Sequence, residues 1–93
     1  MSGPPVRTVA LIVNKRGLHA RASAKFVETA AKFQSEVTVT KDENSVSGRS
    51  IMGLMMLGAS LGTTVELSAD GPDAKDAVQA LVTLIAAKFY EDA

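Results

Sequence analysis

Residues 6–40 read VRTVALIVNKRGLHARASAKFVETAAKFQSEVTVT, and the spacing of their apolar side chains changes twice. Over residues 6–13, β-branched side chains dominate and alternate, which predicts a strand that is apolar on both sides. The turn formers NKRG at residues 14–17 then interrupt that pattern. Apolar groups next recur at helical spacing over residues 20–33, and residues 36–40 alternate again. This stretch therefore predicts a strand, a helix and a second strand in succession.

The rest of the chain completes a βαββαβα order. The further elements are a hairpin tip at 42–44, a strand at 45–48, a short helix at 51–57, a strand at 64–69 and a last helix whose apolar stripe runs from Ala74 to Phe89. Amphipathic helices cover one face of a four-stranded sheet in such an order. Polar Thr38, Thr40, Glu66 and Ser68 predict a solvated opposite face, which favours an antiparallel sheet. We predict an α+β fold with a flexible tail at 1–5 and one domain at 6–93.

The composition excludes several classes of protein. The 93 residues contain no cysteine, so disulfide scaffolds and thiolate zinc sites are excluded. Ten basic and ten acidic side chains give a formal charge of zero, which argues against a dedicated nucleic-acid binder. The basic residues are nevertheless concentrated, because residues 1–49 carry eight of them against four acidic ones. That half is predicted to present a basic patch to an acidic partner.

No segment reads as a membrane span or an export signal. The longest uncharged stretch, residues 50–65, contains three glycines and is shorter than the roughly 20 apolar residues that a spanning helix needs. The first residues lack a basic region followed by an apolar run. We therefore expect a cytoplasmic protein without membrane insertion.

His19 is the only histidine and lies between the turn at Gly17 and the start of the first helix. A helix start offers unpaired backbone N–H groups and the positive end of the helix dipole, both of which stabilise a phosphoryl group. Imidazole is a competent nucleophile near neutral pH, and the guanidinium of Arg21 suits phosphate oxygens. The alternative is that His19 is an ordinary polar surface residue. A single histidine provides neither a metal-ligand cluster nor a hydrolytic triad, and we predict no cofactor.

Two motifs carry a resemblance to a known family. NKRGLHARASAKFV at residues 14–27 closely resembles the active-site motif of the HPr family, the histidine-containing phosphocarriers of the bacterial phosphotransferase system. GRSIMGLMMLGA at residues 48–59 resembles the regulatory-serine segment of the same family. The similarity extends over nearly the whole chain, including its length and element order.

The resemblance implies an open-faced β-sandwich with three helices on one face of an antiparallel sheet. It implies that His19 accepts a phosphoryl group at Nδ1 from enzyme I and passes it to an enzyme IIA domain, assisted by Arg21. It further implies a carrier rather than an enzyme, and regulatory phosphorylation of Ser50 by HPr kinase/phosphorylase. We expect the chain to be a monomer. The residues that it places on the partner-binding surface are Ala20, Ala24, Lys25, Arg49, Ile51, Met52 and Met55. Lys15, Arg16, Lys25 and Arg49 would form a basic rim around them.

Several positions have more than one interpretation. Ser50 also suits the N-cap of the short helix, and Ile51, Met52 and Met55 fit a packed core as well as a docking patch. Ala22 stands where many family members have proline, and we expect it to leave phosphoryl transfer intact.

Two other functions suit this order of elements, and one of them remains open. A βαββαβ chain can serve as a small-ligand regulatory module without covalent chemistry. An open sheet can bind RNA, but the four aromatic residues fall on predicted helices, so we predict no nucleic-acid partner. The sequence does not decide between a sugar-uptake and a nitrogen-related branch.

Overall fold

The computed structural model describes residues 4–91. Its elements are β1 (Val6–Leu11), α1 (Ala20–Ala30), β2 (Glu36–Lys41), β3 (Asn44–Ser47), α2 (Ile51–Met56), β4 (Thr64–Asp70) and α3 (Ala74–Ala86), followed by a single turn at Lys88–Tyr90. The predicted order βαββαβα is confirmed. Residues 1–3 of the predicted tail and the last two residues of the predicted domain lie outside the described residues, while Pro4 and Pro5 are exposed.

The four strands form one antiparallel sheet in the order β1-β4-β2-β3. β4 lies between the first strand and the second, with Ala10 opposite Val65 and Val39 opposite Leu67. β1 is therefore an edge strand, and its neighbour in the sheet is the last strand of the chain instead of the next one. The predicted antiparallel sheet is confirmed.

One face of the sheet is covered by the helices. Val37 and Val39 of β2 and Leu67 of β4 are fully buried there, and Phe26 of α1 and Leu81 of α3 pack into the same core. Strand side chains alternate between faces, so their polar neighbours lie on the other side. Those neighbours are Thr38, Thr40, Glu66 and Ser68, all partly exposed, which confirms the predicted solvated face.

Two predicted helices end earlier in the structure than their apolar spacing indicates. α1 ends at Ala30, and the chain continues to Phe33 in tight turns, with the Phe33 N–H donating to the Ala30 carbonyl over 3.2 Å. α3 ends at Ala86, so the prediction of a helix as far as Phe89 is wrong. Phe89 is nevertheless fully buried, because the turn at Lys88–Tyr90 inserts its ring into the core by a different backbone path.

The loop before β2 is fastened to the start of α3 by Asp73. Its carboxylate accepts hydrogen bonds from the backbone N–H groups of Gln34 and Ser35, each over 2.9 Å, and from the Ser35 hydroxyl over 2.5 Å. The Ser35 hydroxyl bond and the backbone bonds lower the pKa of Asp73 from its ordinary value. This cluster joins two loops that are 38 residues apart in sequence.

Within residues 4–91, no helix is long and apolar enough to cross a bilayer. The aromatic residues of this range also avoid the strands. Phe26 lies on α1, Phe33 follows it, and Phe89 and Tyr90 belong to the turn after α3. The open face of the sheet thus has no aromatic side chain on which a base could stack.

Candidate functional site

The loop that precedes His19 is held against the segment that follows α2. Gly17 has φ +61°, and a Cβ built on it would lie 2.2 Å from the Ala59 carbonyl oxygen. The next residue, Leu18, is buried and donates its N–H to that same oxygen over 2.9 Å. Glycine is thus required at residue 17 both for its backbone conformation and for the close approach of two backbones. The loop geometry fixes where α1 starts.

His19 is the N-cap residue of α1, with an extended backbone at φ −73° and ψ 179°. Its carbonyl accepts the first helical hydrogen bond, from the Ser23 N–H over 2.8 Å. The N–H groups of residues 20–22 therefore precede the helical ladder, at the positive end of the helix dipole. Arg21 is exposed and has no ion pair within residues 4–91. The structure thus has His19 at the start of a helix, as predicted, two positions before the exposed Arg21.

The imidazole of His19 is only 17% exposed, because Glu91 covers it from the C-terminal end of the chain. A carboxylate oxygen of Glu91 contacts Nε2 of His19. Asn14, which is fully buried, donates from Nδ2 to both Glu91 oxygens over 3.3 Å and to the Gly17 carbonyl over 2.8 Å. Oδ1 of Asn14 is buried without a hydrogen-bond partner in the described part of the chain. The loop that contains Asn14, the start of α1 and the segment after α3 thus meet at the His19 ring.

The electrostatics of this cluster favour an ionised Glu91. The hydrogen bond from His19 is the largest cause that lowers the pKa of Glu91, and Asn14 and the positive charge of Arg16 act in the same direction. Partial burial opposes them, because it disfavours the charged form of the carboxyl group. The lowering effects dominate, so Glu91 is a carboxylate at neutral pH.

Lys25, predicted to belong to the basic rim, lies beside the same C-terminal segment. Its ammonium donates to the Phe89 carbonyl over 2.6 Å, and its side chain is partly buried. The contact holds the turn that carries Glu91. Its role in partner binding stays a prediction.

The second motif forms α2 and the residue before it. The Ser50 hydroxyl accepts from the Gly53 N–H over 2.9 Å, so the predicted N-cap is confirmed. Leu54 is the fully buried residue of this helix, whereas Ile51, Met52 and Met55 are 40%, 68% and 40% exposed. The core interpretation of these three residues is therefore wrong, because a helix this short buries only one side.

The two motifs lie on neighbouring parts of one surface, because α1 packs against α2. Ala20 and Ala24 are exposed on α1, and Arg49 is exposed just before α2, where it donates to the Phe33 carbonyl over 2.8 Å. Lys15 and Arg16 are exposed in the loop before His19. All residues predicted for partner binding except the partly buried Lys25 are thus solvent-accessible.

Sequence reasoning does not identify three residues in or beside this site. Met56 is 81% exposed beside the predicted apolar residues of α2. Asn14 was interpreted only as a turn former, although an Asn three residues before a left-handed glycine is a local signal. Glu91 carried no signal at all, since 72 positions separate it from His19.

Among the described residues, no group of three or more histidine and carboxylate side chains is placed to hold a metal ion. Two open grooves lie among the described residues, one lined by Gln34 and Arg49 and the other by Lys25, Lys32 and Tyr90, and His19 lines neither of them.

Comparison with known proteins decides the family. The family model described as the PTS HPr component phosphorylation site matches residues 6–87. The chain belongs to the HPr family. A phosphocarrier protein HPr of Neisseria meningitidis is 58% identical over 80 residues, which cover 86% of this chain and 90% of that protein. The HPr family comprises phosphocarriers of the phosphotransferase system, and that general role holds for this chain.

Solved HPr structures share the fold. The crystal structure of HPr-C-His from Thermoanaerobacter tengcongensis is 50% identical, with a TM-score of 0.90 over 95% of this chain and 99% of that chain. An HPr dimer from the same organism is 55% identical, with a TM-score of 0.75 over 86% of this chain and 92% of that one. The HPr-like open-faced β-sandwich expected from the motifs is confirmed.

Proposed function

We propose that His19 is the residue that carries the phosphoryl group, accepting it from phosphorylated enzyme I and passing it to enzyme IIA domains. The observation that carries the proposal is the position of His19 as N-cap of α1, with three backbone N–H groups ahead of the helical ladder. A dianionic phosphoryl group on the ring would lie near the positive end of that helix. Arg21, exposed and without an ion pair in the described range, would add a guanidinium.

The surface around His19 supports docking of partner proteins. The exposed side chains of Ile51, Met52 and Met55 offer an apolar centre. Ala20 and Ala24 on α1 are also exposed, and their small side chains would not obstruct a partner. Four basic residues would form a rim around this centre, as is typical of an interface with an apolar middle and a charged rim. They are Lys15, Arg16, Lys25 and Arg49. A partner with an acidic site would associate faster at low ionic strength. We propose that the chain acts this way as a monomer in the cytoplasm.

Ser50 offers a second modification. Its hydroxyl caps α2 and is partly exposed, next to the apolar residues of that helix. Phosphorylation by a kinase of the HPr kinase/phosphorylase type would add about two negative charges at the centre of the docking surface. The helix start tolerates the charge, so the expected effect is weaker docking of enzyme I without unfolding. Titration of enzyme I with Ser50→Asp tests this, and unchanged affinity would contradict it.

Intact-mass spectrometry after incubation with enzyme I and phosphoenolpyruvate tests the carrier function. We expect the wild type to gain one phosphate that is lost in acid, as a phosphohistidine is, and His19→Ala to gain none. Enzyme I autophosphorylation is verified in the same sample. No gain by the wild type under those conditions would refute the proposal and favour the ligand-binding module instead.

A further inference from the structure

The residues after α3 adopt a backbone that L-amino acids disfavour. Lys88, Phe89 and Tyr90 have φ of 57°, 56° and 58°, and none of them is glycine. Such strained residues persist where surrounding structure holds them, and they cluster at functional sites. We call residues 87–91 the C-terminal strap. Its last four residues lie beyond the range that the HPr family model matches.

Three separate contacts hold the strap in place. The Phe89 ring is fully buried in the core, and the Phe89 carbonyl accepts from the Lys25 ammonium over 2.6 Å. Glu91 then contacts Asn14 and His19. The left-handed turn reverses the chain after α3 and brings its single carboxylate to the imidazole. The strained turn thus has two results, the burial of the Phe89 ring and the contact of Glu91 with His19.

That contact decides which ring nitrogen is nucleophilic. A carboxylate only accepts hydrogen bonds, so the nitrogen that it contacts, Nε2, must carry the hydrogen. In a neutral imidazole the other nitrogen, Nδ1, then keeps the lone pair. Asn14 supports this assignment, because its donation to both Glu91 oxygens orients the carboxylate. A carboxylate that orients a histidine in this way is a recurrent device in active sites and metal sites.

We infer that Glu91 is a positioning residue for His19. Its carboxylate directs phosphorylation to Nδ1 and stabilises the charged ring that results. This inference rests on the proposed carrier function. In the step, the Nδ1 lone pair forms the bond to phosphorus, and the bond from phosphorus to the donor atom of phosphorylated enzyme I breaks, returning its electron pair to that atom. Nε2 keeps its hydrogen, so the ring becomes cationic beside the Glu91 carboxylate. A cationic ring is also the better leaving group in the onward transfer.

The first test uses the free protein and needs no phosphorylation. Long-range ¹H–¹⁵N NMR of the His19 ring, at mildly alkaline pH, reports which nitrogen carries the hydrogen. We expect the wild type to show a single tautomer with hydrogen on Nε2. Glu91→Ala removes the acceptor, and Glu91→Gln substitutes an amide that either donates or accepts. Both variants are therefore expected to show a mixture of the two His19 tautomers. Glu43→Gln, the same chemical change at the exposed hairpin tip, is the matched control and leaves the wild-type pattern.

The second test measures single-turnover phosphoryl transfer from enzyme I to the chain and from the chain to an enzyme IIA. We expect Glu91→Gln to slow both steps by about 10- to 100-fold, the usual effect of removing a residue that orients a functional histidine. Glu43→Gln is expected to match the wild type. Wild-type rates in both Glu91 variants, or an unchanged ring pattern, would overturn the inference. A wild type that accepts no phosphate would instead refute the carrier function and the transfer step with it, while the ring NMR would still decide the Glu91 contact.

Discussion

Replacing Gly17 by alanine tests whether the loop before His19 is held by close backbone approach. Two penalties are expected. The left-handed backbone at φ +61° costs a residue with a Cβ about 1–2 kcal/mol. The new methyl group would also lie 2.2 Å from the Ala59 carbonyl oxygen and 2.8 Å from the Ser60 Cα. Ordinary contact begins at 3.4 Å, so the two backbones must separate by about 1.2 Å.

That separation breaks the 2.9 Å hydrogen bond from the Leu18 N–H to the Ala59 carbonyl. Leu18 is buried, and an unpaired buried donor costs about 1–3 kcal/mol. Together with the backbone penalty, Gly17→Ala should lower the free energy of unfolding by about 2–5 kcal/mol. It should also slow phosphoryl acceptance by about 100-fold, because His19 moves with the loop.

Gly58→Ala is the matched control. Gly58 has nearly the same backbone angle, φ +66°, but a Cβ there would meet nothing within 4 Å. It therefore incurs the backbone penalty alone, about 1–2 kcal/mol, and keeps wild-type transfer. Urea denaturation of both variants, with the m-value checked for constancy, measures the difference. Equal losses of stability in the two variants would refute the close-approach argument.

Three further substitutions test the cap of α2, the Asp73 cluster and the start of α1. Ser50→Ala removes the N-cap bond of α2 and should cost about 1 kcal/mol in urea denaturation, whereas Ser50→Thr should retain most of it. The pKa of Asp73 is lowered in the folded state, so its contribution to stability is present above the ordinary carboxyl value of 3.8 and is lost as pH falls through the lowered value. Asp73→Asn should thus lower Tm at neutral pH, by a margin that narrows in acid melts. Ala22→Pro removes one of the three N–H groups before the α1 ladder but leaves those of Ala20 and Arg21 and all the ladder bonds, which start at the Ser23 N–H, so transfer from enzyme I should stay within about twofold of wild type.

Local patterns predicted the elements and the place of the key side chains. Alternation placed Val37, Val39, Val65 and Leu67 on the covered face of the sheet, where all four are buried. The turn before His19 and the cap at Ser50 were also readable, because both depend on residues within a few positions. These features follow from periodicity and turn chemistry, which act over short distances in the chain.

The features that escaped prediction depend on distant residues. Helical spacing put Phe89 on the stripe of α3, and Phe89 is buried, but a left-handed turn achieves that burial instead of a helix. The bond from Lys25 to the Phe89 carbonyl depends on that turn, and so does the placement of Glu91. No short-range pattern encodes a contact across the whole length of the domain. The role of β1 as the neighbour of β4 was hidden for the same reason.

Contacts with residues made later in the chain determine when the surroundings of His19 are complete during synthesis. The ribosome makes His19 early, but the loop before it is held by Ala59, and its ring is covered by Glu91, 72 positions later. At ordinary translation rates of roughly 5–20 residues per second, about 4–14 s pass between the synthesis of His19 and that of Glu91. The edge strand β1 also waits for β4 before it has a partner. A nascent chain therefore contains its histidine several seconds before the residues that hold its loop and cover its ring have been made.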